Sequence, residues 1–401
     1  MVDRPALPFS ERIRQRRIEQ GRTQAVVAGL CGISTEYLSQ IERGLKTPAR
    51  DVMTRLAAEL QLAVGSLMGD VPEATANVSP PVGSRVAQAL LGHHRPPAVA
   101  FTGAGLRDRV EGLWRTWQSS PTRFTSAERL LPDLIRDIEG TVRALRASPD
   151  SMERREVLRA AADFYGMLRS YCRRVGRMDL AMLSADRALR AAEDADDALR
   201  IAVAHWNLGH VLLSQAGSEA GAVDVAMTAV AQLDHAAAVS DETVAVRGAL
   251  ELVVTVAEAK ARRPWAARDR LNKVMPLAQR AGEGNVLWTV FGPTNVQLHA
   301  LSVEMTDGDA LEGLRLADQV DITQIASNER TFTFGMEVAA CYALRRDYAA
   351  VLVHLLELEQ LAPEDLERSP LAQKLVASLV RQSRPTYRRQ VVALAERLQL
   401  L

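Results

Sequence analysis

The chain has 401 residues, enough for two or three domains and a sizeable core. Alanine, leucine, valine and arginine are abundant and aromatics reach only 4%, a composition that favours helices. Forty-nine Lys and Arg balance 49 Asp and Glu, so no global basic field advertises nucleic acid, and any DNA affinity must come from a local stripe, helped by a dimer with two half-sites. Cys31, Cys172 and Cys341 are far apart, which argues against a disulfide framework and reads as small buried thiols. No CxxC suggests zinc, and neither a metal nor another cofactor is expected. No run of about 18 apolar residues and no signal-peptide pattern is present, so a cytoplasmic protein without a membrane partner is expected.

In chain order, Met1 to Pro8 is a short arm and Phe9 to Gln20 a first helix with Ser10 as its cap. Thr23 to Gly44 reads as two short helices joined by a tight turn. Gln24 opens the first, Ala28 is small where the two would cross, and Gly32 suits a sharp turn with positive φ. Ser34 is an N-cap for the second. Leu38 and Ile41, three apart, would pack back on Ala28 and leave Thr35, Glu36, Ser39 and Gln40 on or near the solvent side. A fourth helix runs from Asp51 to about Leu60, and Val64 to Met68 forms a last short turn.

This stretch resembles the DNA-binding domain of the phage-repressor, or XRE, family. The matching residues are Ile13, Arg14 and Arg17; Gly21, Thr23 and Gln24; Ala28; Gly32 to Ser34; Ile41 to Gly44; then Thr47, Pro48 and Arg55 to Leu60. The resemblance implies a five-helix helix-turn-helix domain over residues 1–70. It implies that Arg17 and Glu42 form an internal ion pair and that Gln24, Arg43 and Lys46 meet the DNA backbone. Thr35, Glu36 and Gln40, with Ser39 close by, would face bases. Glu36 departs from the usual amide or basic residue: a carboxylate accepts from cytosine N4 but repels phosphate, which does not fit simple purine reading.

Residues 71–104, rich in proline and glycine, read as a linker with one short helix near Ser84 to Leu91. His93 and His94 lack a third metal ligand at suitable spacing and read as a solvated turn. Thr102 to Gly105 is glycine-rich but follows no strand, so its phosphate-loop signal is weak. Beyond it, Arg107–Gln118 and Ser126–Arg146 are helices. Helix pairs then recur at about 40 residues. They are Arg155–Arg174 with Leu180–Ala192, Leu199–Gln215 with Glu219–Asp234, and Glu242–Arg262 with Trp265–Arg280. Leu287–Thr306 with Ala310–Gln319, Asn328–Arg345 with Tyr348–Leu361, and Leu371–Arg381 with Tyr387–Leu398 follow. The pattern resembles a degenerate tetratricopeptide repeat: Tyr165, Leu168, Ala181 and Ala188 in the first pair, Leu208 and Gly209 in the second, Phe334, Ala350 and Pro363 later. Together with Phe291 to Val296, the architecture looks like actinobacterial regulators that join a repressor-type head to a repeat domain. The expected fold is all-α, with a helical solenoid over residues 105–401.

Such a solenoid presents the first helix of each pair on a concave face that binds peptides or small molecules in relatives. Asn207, His210, Asn295, His299 and Arg330 are the candidate ligand residues there. An asparagine amide can pair with a peptide backbone, and Arg330 could hold a carboxylate. Trp206, Trp265 and Trp288 read as packing residues. No HExxH, GxSxG or Walker loop is present, so no enzyme is expected. The expected function is a homodimeric transcriptional regulator on palindromic double-stranded DNA, sensing a peptide or small molecule. The alternative is a DNA-tethered scaffold whose repeats bind a protein.

Overall fold

A computed structural model describes residues 9–46, 48–60, 83–92, 101–146, 151–236, 240–325 and 327–400. Every regular element among them is helical. The chain divides into two compact units, Met1–Pro81 and Val82–Leu401. The all-α reading therefore holds, with a helix-turn-helix head and a helical repeat domain.

In the first unit α1 (Phe9–Glu19), α2 (Gln24–Leu30), α3 (Thr35–Glu42) and α4 (Arg50–Glu59) surround Ile13, Val27, Leu38, Ile41, Leu56 and Leu60, all fully buried. α2 and α3 stop and start where their caps dictate. The Thr23 hydroxyl accepts from the Val26 amide at 3.3 Å and the Ser34 hydroxyl from the Tyr37 amide at 3.1 Å. Gly32 takes φ +62° between them, a conformation that a side chain would strain. The expected helical turn at Val64 to Met68 lies outside the described residues.

The second unit begins with α5 (Ser84–Leu91), whose Val86, Ala89 and Leu90 join the core, so this helix belongs to the repeat domain. α6 (Gly103–Ser119) and α7 (Arg123–Ala144) follow. Thr102 to Gly105 is the start of α6 and not a phosphate loop: the Thr102 hydroxyl caps the Gly105 amide at 3.1 Å. His93 and His94 lie outside the described residues. Helical hairpins then stack in order: α8 (Ser151–Arg174) with α9 (Met178–Asp194), α10 (Ala198–Leu212) with α11 (Glu219–Ala236), and α12 (Asp241–Lys260) with α13 (Pro264–Ala281). α14 (Pro293–Asp307) pairs with α15 (Ala310–Ala317), α16 (Asn328–Leu344) with α17 (Tyr348–Leu361), and α19 (Pro370–Gln382) with α20 (Pro385–Arg397). Alanines set the close approach of α8 and α9: Ala181, Ala185 and Ala188 are each at most 1% exposed.

Three details depart from the sequence expectation. α14 starts at Pro293 and not at Leu287, because residues 286–288 form a single 3₁₀ turn in which Leu287 (φ +44°) and Trp288 (φ +67°) leave the helical region. A short helix, α18 (Pro363–Arg368), breaks the run between α17 and α19, with Pro363 at its first turn. Trp265 is 71% exposed and packs no core.

Two ties draw the early helices of the unit onto the late ones. Arg123, at the first position of α7 and 1% exposed, pairs with Asp365 of α18 through Nε at 2.9 Å and a second bond, and with Glu329 of α16 at 2.9 Å. Glu364 accepts from the Phe124 amide at 2.7 Å. In the second tie, the segment ahead of α14 crosses to α6. The Trp288 ring stacks on Trp114 at 5.4 Å, and Asn285 donates to the Gln118 side chain at 2.7 Å.

Phe291 anchors that crossing segment by setting the edge of its ring against Gly248 of α12, where any Cβ would fall 2.0 Å from Cζ. Gly248→Ala is therefore expected to expel the ring and cost ~1–3 kcal/mol. Thermal unfolding by circular dichroism should show the loss, together with a shift in tryptophan emission as Trp288 moves. An unchanged melt and spectrum would refute this anchoring.

Candidate functional site

The head places its candidate residues on one rigid hairpin. The buried face of α3 is Leu38, Ile41 and Glu42, which leaves Thr35 and Glu36 exposed and Ser39 and Gln40 half-buried at the edge of the same outer surface. Arg43 and Lys46 are exposed beyond its end. Arg43 Nε donates to the Ser39 carbonyl at 3.3 Å, and the Lys46 ammonium lies 5.6 Å from the Tyr37 ring centre.

Behind α3 a carboxylate is fully engaged. Arg17 forks onto Glu42 with Nε–Oε1 2.6 Å and Nη2–Oε2 2.8 Å, and Gln24 Nε2 donates to the same Oε2 at 2.7 Å. Arg17 Nη1 also reaches the Arg22 carbonyl at 2.9 Å. Burial by itself would raise the Glu42 pKa; the Arg17 and Gln24 hydrogen bonds outweigh it and hold the pKa below the ordinary value. The Glu42 hydrogen bond raises the pKa of Arg17 in turn. These contacts fix the start of α2 to the end of α3, so the outer face of α3 is presented as one rigid surface. Gln24 gives one of its two amide N–H donors to Glu42, which leaves the second N–H and the carbonyl oxygen for other partners.

The repeat domain contains a cavity of about 510 Å³. Its walls come from α6, from the Trp288 segment and from α8, α10, α12, α14 and α16, the first helices of successive hairpins, with Leu371 of α19 at one edge. The volume suits a small ligand. His210, His299 and Arg330 face it, whereas Asn207 and Asn295 do not. Asn207, 3% exposed, accepts from Arg169 and steadies that guanidinium; the Asn295 carbonyl accepts from His299 Nδ1 at 2.8 Å, in the tautomer that places the proton there.

Sequence reasoning missed the residues that dominate the walls: Arg169, Arg173, Arg174, Glu329 and Glu337. Glu329 binds Arg174 Nε at 2.9 Å and Arg123 Nη1 at 2.9 Å and lies 3.7 Å from Arg173. Burial opposes its charge, but Arg174, Arg123 and Arg173 prevail and hold its pKa well below the ordinary value. Burial lowers the Arg169 pKa to about 10 and, with Arg330, lowers that of His299 to about 4. His210 is also held well below its ordinary value, first by burial and then by Arg169 and Arg173. Both histidines are therefore neutral at pH 7. Glu337 accepts from Ser302 at 2.6 Å, yet burial pushes its pKa up to about 7. All three cysteines are buried, and burial raises the Cys172 thiol to about 12 and Cys341 to about 11.

Residues 13–67 match the family model described as helix-turn-helix. The transcriptional regulator ClgR of Mycobacterium tuberculosis is 36% identical over 61 residues, which are 15% of this chain and 54% of that protein. The chain thus spans about half the length of the curated relatives it matches. Among solved structures, Bacillus thuringiensis PlcR in complex with the peptide PapR7 and DNA aligns over 86% of this chain and 98% of its own at 12% identity and TM-score 0.33. ComR from S.thermophilus, in complex with DNA and its signalling peptide ComS, aligns over 88% and 99% at 11% identity and TM-score 0.29.

Two outcomes follow from the buried charges. Arg17→Met leaves Glu42, whose side chain is 2% exposed, without its partner and should cost the head about 3 kcal/mol. The double variant Arg17→Met, Glu42→Gln should recover most of that loss, read as hydrogen-exchange protection of α2 and α3. Equal losses in both variants would contradict it. Glu337 has a folded pKa above its unfolded one, so folding takes up a proton between the ordinary carboxylate range and about pH 7, and its contribution is lost as pH rises through that window. Glu337→Gln should stabilise the repeat domain more at pH 8 than at pH 5, by ~1–2 kcal/mol after allowance for partial exposure. Melting curves at the two pH values decide it, and a pH-independent effect would refute it.

Proposed function

We propose that the protein is a sequence-specific DNA-binding transcriptional regulator whose repeat domain dimerises it and senses a peptide or small-molecule effector. The observation that carries the reading is the outer face of α3. Thr35, Glu36, Ser39 and Gln40 stand on a helix whose opposite side is locked into the head core. A helix in the major groove needs short polar side chains facing base edges from a rigid backbone. Arg43 and Lys46 supply phosphate contacts at the end of that helix, and the Gln24 carbonyl is available to a backbone-bound water. The match of residues 13–67 to the helix-turn-helix family supports the same assignment.

Effector sensing is supported by the cavity built from successive first helices. A ligand that prefers one arrangement of those hairpins shifts the population of the whole domain, and reciprocity then links ligand affinity to operator affinity. The zero net charge of the chain places the burden of DNA affinity on local contacts and on two heads acting together.

Selection of bound duplexes from a random library at near-physiological salt, with full-length protein, tests the reading. A two-fold symmetric motif with half-sites about one helical turn apart is expected. Replacing Thr35 or Gln40 by alanine should then weaken binding by about 1–3 kcal/mol per lost base contact and relax preference at one position of each half-site. Enrichment of no motif by the full chain or by residues 1–81, or alanine variants that bind as before, would overturn the assignment.

A further inference from the structure

We infer that the repeat-domain cavity is a site for a small organic anion bearing a flat apolar group, with Arg173 and Arg330 taking the acid and the indoles of Trp114 and Trp288 bounding the flat group. The inference deepens the ligand-sensing part of the proposed function and rests on that reading for its regulatory meaning, though not for binding itself.

Arg169, Arg173, Arg174, Arg330 and Lys260 face the cavity against only Glu329 and Glu337. Arg174 is already paired, gripping Glu329, and Lys260 gives one of its donors to the Leu213 carbonyl at 2.7 Å. Glu329 is shared with Arg123 as well, so it has little left for Arg173, which lies 3.7 Å away with its Nε unpaired. Arg169 is 2% exposed, and its Nε also lacks a partner. The Arg330 side chain forms no hydrogen bond and no ion pair with any described residue. A buried donor without an acceptor is costly, and several cations around one shared carboxylate cost more, unless a counter-charge arrives. A carboxylate or phosphate can accept guanidinium forks from two arginines that face one cavity. His210 and His299 are held below their ordinary pKa first by burial and then by these arginines, which agrees with a positive interior.

The apolar walls set the rest of the ligand. Trp114 and Trp288 lie parallel within 6°, and Trp117 and Trp206 complete an aromatic surface beside the arginines. Flat unsaturated groups pack well on such surfaces. The same chemistry could come from a free organic acid or from the terminal carboxylate of a short peptide ending in an aromatic residue.

Four of the five tryptophans line the cavity, so tryptophan fluorescence of the full-length protein reports occupancy directly. The probe is 8-anilinonaphthalene-1-sulfonate, compared with neutral N-phenyl-1-naphthylamine. Saturable quenching is expected, at least ten-fold tighter for the anion. Arg330→Gln, at a side chain that forms no hydrogen bond with any described residue, and Arg173→Gln should each weaken the anion ten-fold and leave the neutral compound unchanged, with melting temperature recorded alongside. In a second arm, Leu-Gly-Phe as free acid is compared with its C-terminal amide. Acid-selective peptide binding assigns the source to a chain terminus, and sulfonate binding alone assigns it to a free organic acid; both support the site. Absence of saturable anion binding, equal affinity for the neutral compound, or indifference to both arginine substitutions would overturn it. No DNA enters the assay, so its failure is separable from a failure of operator selection.

Discussion

The repeat domain depends on a buried charge cluster at its seam. Arg123 lies under the Trp117 ring at 4.3 Å and is held by Asp365 and Glu329, residues 242 and 206 positions away. Burial works against the Arg123 charge, and the carboxylates Glu329 and Asp365 more than offset it, so its pKa sits above the ordinary value. Such a cluster contributes little net stability compared with an apolar filling of the same space, because desolvation consumes most of the attraction. What it does supply is a register. A stack of helical hairpins contacts only its neighbours and can curl to many degrees. A charged seam that is satisfied in one arrangement and strongly unfavourable when broken selects one of them.

The strained segment before α14 is the second condition for the cavity. Leu287, Trp288 and Val290 all have positive φ, at a cost of order 1–3 kcal/mol each. Their surroundings over-determine the conformation. The Val290 amide donates to the Asn285 side chain at 3.2 Å, the Thr289 hydroxyl to the Val286 carbonyl at 2.7 Å, and the Phe291 ring sets its edge against Gly248. An ordinary helical continuation from Leu287 would carry Trp288 around the helix and away from Trp114. Strain here positions an aromatic wall, which connects local backbone energetics to the shape of the cavity.

Much of this was legible in the sequence where the signal is local. Gly32, Ser34 and the spacing of Leu38 and Ile41 specify the helix-turn-helix, because caps, turns and a three-residue apolar interval act within a dozen residues. The hairpin period was readable for the same reason. The boundary of α14 was missed although Gly292 and Pro293 mark it as cap and first helical residue; the turn at Val286 to Val290 ahead of it has no breaker of its own and is held by contacts with α6 and α12. Arg169 and Arg173, four apart on α8, look in sequence like a solvated basic face. Their burial follows from closure of the domain, a long-range event that periodicity does not encode. Tyr165, Arg169 and Arg173 do share one stripe, and an arginine pair continuing a buried aromatic stripe was the available hint.

Glu329 belongs to both the seam and the cavity, and this joins the two. It closes the domain through Arg123 and Arg174 while facing the space where Arg173 keeps an unpaired Nε and Arg330 forms no hydrogen bond with any described residue. An anion that recruits Arg173 changes the field around a carboxylate whose own bonds hold the first helices to the last. Binding and closure then draw on the same charges, so a preference of the ligand for one state of the seam is a preference of the seam for one state of the ligand. The head needs no such compromise: Glu42 is satisfied within its own unit by Arg17 and Gln24. Under the proposed function, a helix-turn-helix head fixed by its own ion pair and a repeat domain in which Glu329 serves both closure and cavity are the two elements that a ligand-responsive regulator requires.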